Sequence, residues 1–129
     1  MIDHIGLSVS DLGTSRRFFE SALAPLGIAM VMEVTEEMTG GHGAHLGLGR
    51  DGNPFFWIGT GKAGTRGCHV AFAAPDRATV DAFHAAALAA GGTDNGAPGL
   101  RPHYHANYYG TFVLDPDGNN IEAVFHGPA

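Results

Sequence analysis

Residues 3–12 read Asp3-His4-Ile5-Gly6-Leu7-Ser8-Val9-Ser10-Asp11-Leu12, and residues 67–72 read Gly67-Cys68-His69-Val70-Ala71-Phe72. Ile5, Leu7 and Val9 alternate in the first stretch and Val70 and Phe72 in the second, the period of a half-buried strand. Each strand starts beside a histidine. A shift of 65 places lays His4 on His69, Asp11 on Asp76, Phe18 on Phe83, Ala22 on Ala87, Leu23 on Leu88 and Gly27 on Gly92 without a gap. A repeat of this kind constrains the architecture before any local reading does.

Working outward, Leu12, Phe18, Phe19, Ala22, Leu23 and Leu26 fall at helical spacing after Ser10-Asp11. Val80, Phe83, Ala87 and Leu88 do the same after Pro75-Asp76. Asp11 and Asp76 are placed to accept first-turn amides, and Gly27 and Gly92 supply matched stop signals. Further on, Asp51-Gly52-Asn53 matches Asp117-Gly118-Asn119 at an offset of 66, which implies one inserted residue in the second copy. Asp-Gly between alternating apolar residues predicts hairpins pairing 44–49 with 55–60 and 108–115 with 120–125. Residues 28–34 add a strand to the first copy. The matching stretch of the second, Thr93 to Pro102, is so rich in turn formers that it reads as a loop.

The expected fold is therefore α+β: one domain over 1–129 built of two repeats, 1–62 and 67–127, each a strand, a helix and about three strands. Neither sheet can cover its own concave face, so the two must close on each other or on another chain.

The 129 residues are 44% apolar, enough for one core. Thirteen acidic against seven basic residues leave a net charge of -6, which disfavours nucleic acid as a partner. No apolar run reaches membrane-spanning length and no leader precedes the first strand, so the expectation is a cytoplasmic protein without a membrane partner. The one cysteine, Cys68, forms no internal disulfide and reads as a packed strand residue.

The repeat puts His4 and His69 at equivalent points of two first strands, where they are expected to face each other across a pseudo-twofold axis. Glu122 interrupts the apolar run Ile121, Ala123, Val124, Phe125 of the last strand, a costly place for an unpaired carboxylate. A divalent cation between two imidazoles and Glu122 would balance that charge and leave coordination positions open for a substrate.

Together with Asp115-Pro116-Asp117-Gly118-Asn119-Asn120-Ile121-Glu122, the two opening stretches resemble the vicinal-oxygen-chelate superfamily, the glyoxalase, bleomycin-resistance and extradiol-dioxygenase relatives. The resemblance runs from end to end. It implies paired βαβββ modules that form a curled, incomplete eight-stranded barrel around one divalent metal, Zn, Ni, Mn or Fe. It places ligands on the first and last strands of each module, here His4 and Phe56 in one copy and His69 and Glu122 in the other. Phe56 cannot ligate, so the resemblance implies an open triad rather than the four-ligand set usual in glyoxalase I. Extradiol enzymes usually carry a tyrosine ten residues before the last glutamate, where this chain has Phe112. Modules of the family also pair between chains, so a homodimer is expected, and His4 meets His69 and Glu122 either within one chain or across two.

The function these readings favour is a metal-dependent lyase or isomerase of glyoxalase type, acting on a small substrate chelated through adjacent oxygens. Glu122, His105 and Tyr109 are the candidate catalytic groups. Arg101, His103, Tyr104 and Tyr108, from the polar and aromatic run 101–109, are the candidate substrate contacts with Phe56 and Trp57. His42, His45, His84 and His126 read as packing or solvent-facing. The alternatives are an extradiol-type dioxygenase and a metal-free, bleomycin-resistance-like protein that holds a cationic compound.

Overall fold

A computed structural model describes residues 1–60 and 64–129; the expected end of the first repeat at residue 62 lies outside them. The elements follow the repeat. Strand β1 (Ile5–Ser8), helix α1 (Leu12–Leu23) and strands β2 (Ala29–Val34), β3 (His45–Arg50) and β4 (Asn53–Gly59) form the first module. Strand β5 (His69–Ala73), helix α2 (Arg77–Ala89) and strands β6 (Thr93–Leu100), β7 (Tyr109–Leu114) and β8 (Asn120–Phe125) form the second. The sheets have orders β1-β4-β3-β2 and β5-β8-β7-β6, the first strand of each lying parallel to the last. The fold is thus α+β, two βαβββ modules with no closed barrel among the described residues.

Both helices start where the aspartates predict: Asp11 accepts the Thr14 amide at 2.9 Å and Asp76 the Thr79 amide at 2.7 Å. Gly27 stops the first helical segment at φ 73°. In the second module the left-handed residue is Gly91, at φ 99°, one place before the matched Gly92. Gly92 is needed for space instead, since a Cβ there would come within 2.5 Å of Val113.

One face of each sheet packs on its helix, and the largest contact between the modules is α1 against α2. Phe18, Phe19, Phe56 and Phe72 meet edge to face in succession, with centroids 5.0, 5.0 and 5.3 Å apart. The core thereby runs from α1 through β4 into β5, and each such contact adds about 0.5–1.5 kcal/mol to the burial itself. The opposite faces of the two sheets are left open, as the exposed Ala71 and Ala73 of β5 show.

Two strands depart from the expectations above. Residues 93–100 are not a loop but β6, the edge strand of the second sheet, with register shifts on either side of Gly96. An edge position tolerates Pro98 and glycines that would break an inner strand, which is why their turn-former signal misleads. In β4 the pairing passes from Gly49↔Pro54 to Leu48↔Phe56, leaving Phe55 as a one-residue bulge. The bulge reverses the alternation that follows. Phe56 turns into the core, and Trp57, which pairs with Gly6 as Glu122 pairs with Ala71, is the true counterpart of Glu122. The inserted residue inferred at the second hairpin is therefore matched by the bulge in the first.

The second Asp-Gly turn also works as a clip. Asn119, wholly buried, donates to the Thr65 carbonyl at 2.7 Å and accepts the Cys68 amide at 3.1 Å. The Ser10 hydroxyl and amide both donate to Asp117. The Asn119 bonds tie the segment entering β5 to the start of β8, and so set which residues of the two strands stand opposite. The Ser10 bonds tie the chain just past the first strand to the same turn.

Phe56→Ala is expected to cost about 3–5 kcal/mol in urea unfolding, and Phe55→Ala less than half of that. The reverse order would contradict the bulge.

Candidate metal centre

In the register set by that clip, His69 pairs with Asn120 and Ala71 with Glu122, so His69 and Glu122 lie on the same, open face of their sheet. Glu122 Oε1 is 2.8 Å from His69 Nε2. The carboxylate is 1% exposed whereas the imidazole is 52% exposed, so the acid forms the floor and the histidine the wall. The second oxygen, Oε2, accepts the Tyr108 hydroxyl. Gly110 makes room for this arrangement: a Cβ there would stand 3.1 Å from both Glu122 Oε2 and the Tyr108 ring.

Tyr108 precedes β7, and its phenol is held well above the ordinary range, first by burial and then by the bond to the Glu122 carboxylate. Tyr109, the residue expected to be catalytic, lies on the helix side instead. Its hydroxyl donates to Asp81 of α2 at 2.7 Å and Arg77 lies over its ring. Neighbours in a strand point to opposite faces, so only one of the two tyrosines reaches the acid, and it is Tyr108.

His4 lines the same cleft as His69, a cavity of about 460 Å³ that also includes Ile5, Arg50, Phe55 and Phe56. Its Nδ1 is 2.7 Å from Asp3, and the side chain is 60% exposed. Among the described residues no three His, Cys, Asp or Glu side chains are grouped to hold a metal. The expected face-to-face triad is therefore not assembled within this chain. Two of its members, His69 and Glu122, are together and suit a divalent cation by chemistry, an imidazole beside a buried carboxylate. Phe56, expected at the substrate, packs its ring into the core and also forms part of this cleft's lining. Trp57 lines a separate, smaller hollow on the open face of the first sheet with His45.

The run 101–109 does gather at the pair. The Tyr104 and Tyr108 rings are 4.8 Å apart, His103 lies 4.2 Å from Tyr104, and His105 meets Tyr108 at 5.4 Å. His126 joins them, stacked on His105 with Nδ1 2.8 Å from His105 Nε2. This histidine was assigned to packing or solvent. Its parity with Glu122, four residues earlier along β8, is the signal that would have found it. Phe112 stands opposite Glu122, its ring 6.1 Å from that of His69.

Paired βαβββ modules with a histidine on a first strand and a glutamate on a last one define a class, and the comparisons agree with it. The model of the Glyoxalase/Bleomycin resistance protein/Dioxygenase superfamily matches residues 1–123, and the chain belongs to that family. It is similar to the crystal structure of a glyoxalase/bleomycin resistance protein from Albidiferax ferrireducens T118, at 30% identity and a TM-score of 0.75, over 97% of this chain and 98% of that one. A glyoxalase I mutant from Zea mays shares the fold at 23% identity and a TM-score of 0.73, over 95% of this chain. This chain spans only 46% of that protein's length. A glyoxylase/bleomycin resistance protein/dioxygenase domain from Frankia sp. EAN1pec shares the fold at 15% identity and a TM-score of 0.73, over 98% of both chains. Among curated proteins none matches. No helix of the described residues is long and apolar enough to cross a membrane.

Tyr108 as the neutral donor to Glu122 has an alkaline signature. Its folded-state pKa lies above the ordinary 10.0, so its contribution to stability is complete below pH 10 and is lost as pH rises through the folded value. Tyr108→Phe is expected to remove the most alkaline step of phenolate absorbance and to flatten the stability loss above pH 10. An unchanged titration would contradict the contact.

Proposed function

We propose that this chain is a divalent-metal-dependent lyase or isomerase of glyoxalase type, acting on a small molecule that presents two adjacent oxygens. The observation that carries the reading is Glu122, a carboxylate sunk in a strand face with its two oxygens shared between His69 and Tyr108. His69 and Glu122 would hold the ion. His4 of the partner subunit is the third donor in this reading, which makes the working unit a homodimer. The open second face of each sheet and the exposed Ile5, Ala71 and Ala73 favour such pairing.

A bound Zn, Ni, Mn or Fe ion would polarise the adjacent oxygens and favour negative charge next to a carbonyl. The chain's own groups do the rest. Glu122 is the base that accepts a proton beside the carbonyl, with Tyr108 donating to Oε2 and holding the carboxylate in one orientation. His105, in contact with Tyr108 and His126, is positioned to pass protons between the floor of the site and solvent. Phe112 keeps an apolar ring beside the acid where a ring-cleaving dioxygenase would present a phenol, so the dioxygenase reading ranks below the lyase.

A second reading has its own observation. The direct His69–Glu122 bond satisfies the acid without any ion, as in a metal-free binding protein.

Elemental analysis of protein purified without chelator separates the two. The metal reading predicts about one divalent ion per chain, lost in Glu122→Ala and in His4→Ala. Mixing those two variants is expected to restore binding to a fraction of the chains, because a mixed dimer rebuilds one intact site. Absence of stoichiometric metal from the wild type, with no uptake of Zn, Ni, Mn or Fe, would leave the metal-free reading.

A further inference from the structure

The net charge of -6 makes any unpaired cation on the open face of the second sheet informative. Arg101 is one. Arg16 is engaged by Glu20 and Glu33, and Arg77 lies over Tyr109 on the helix side. Among the described residues Arg101 makes no ion pair with a carboxylate. It is nevertheless held in place, with Nη2 donating to the Ala97 carbonyl at 2.6 Å and Nη1 to the Leu100 carbonyl at 3.4 Å. Its Cζ lies 5.5 Å from the centre of the Phe112 ring.

Two glycines of β6 make the seat. A Cβ at Gly96 would come to 2.8 Å from Phe112 and 3.3 Å from Arg101 Nη2, and one at Gly99 to 3.1 Å from Nη1. Phe112 stands opposite Glu122, with its ring near His69. The open face therefore carries, in order, the His69–Glu122 pair, the Phe112 ring and a fixed guanidinium, with Tyr104 and Tyr108 along one edge.

We propose that Arg101 is a carboxylate anchor and that the substrate is a small organic acid whose carboxylate rests on the guanidinium while its reacting oxygens reach His69 and Glu122. This rests on reading that pair as the reacting end. A planar fork with one positive charge matches a carboxylate in shape and charge. A phosphate dianion would bring a second negative charge to a seat that holds a single guanidinium beside the Glu122 carboxylate. The same guanidinium repels the cationic compounds expected of a bleomycin-resistance-like binder.

The probes are 3,4-dihydroxyphenylacetate, which carries a carboxylate across a ring from two adjacent oxygens, and its neutral amide, with inorganic phosphate as a third, titrated by calorimetry into the protein as purified. The acid is expected to bind at least about tenfold more tightly than the amide. Arg101→Gln is expected to erase that difference, and Arg101→Lys to keep part of it. Equal binding of acid and amide, no binding of the acid, tighter binding of phosphate, or full affinity for the acid in Arg101→Gln would each overturn the anchor. Should Arg101→Gln fail to fold by circular dichroism, the comparison of acid and amide on the wild type still decides. Mn titrated into the same samples keeps the two readings apart. Acid selectivity without Mn binding would sink the metal reading alone, and Mn binding without acid selectivity would sink the anchor alone.

Discussion

A carboxylate buried in a sheet face is the constraint on which the site depends. Left alone, Glu122 would cost several kcal/mol or shed its charge. The surrounding chain is arranged to prevent that: Asn119 clips β8 to the segment before β5 and so brings His69 alongside, Gly110 gives up its side chain to make room, and Tyr108 closes over the second oxygen. Remove any of these and the acid loses a partner while remaining buried.

The repeat explains why the site is lopsided. Both modules present an equivalent strand position, yet the first carries Trp57 there and the second Glu122. The repeated scaffold thus carries a bulky ring at this position in one half and a carboxylate in the other. Because the modules meet through their helices, the acid-bearing face looks outward, and the first module's histidine shares a cleft with His69 without completing a triad within the same chain. Membership of the glyoxalase superfamily accounts for the scaffold.

Much of this was legible beforehand. The ungapped match of His4 with His69 and Asp11 with Asp76 gives the modules, the helix caps and His69, and the carboxylate that breaks an apolar strand gives Glu122, the residue His69 meets. What failed to read through was parity. A bulge at Phe55 leaves no mark in a run of three aromatic residues, so Phe56 looked like the counterpart of Glu122 when it packs in the core. The adjacent tyrosines 108 and 109 differ only in which face they take, and the strand start that decides it lies in a run without periodicity. Edge strand β6 was hidden for a related reason: at an edge, glycine and proline carry little penalty, so turn chemistry there does not mean a turn.

The most direct test of the account is pulsed electron paramagnetic resonance on Mn-loaded protein with ¹⁵N-labelled histidine. Imidazole coupling from His69 at an ion that Glu122 also binds is expected in the wild type and should vanish in Glu122→Gln. Bound Mn with no imidazole coupling, or coupling that survives that substitution unchanged, would contradict the assignment of the buried carboxylate as the centre of the site.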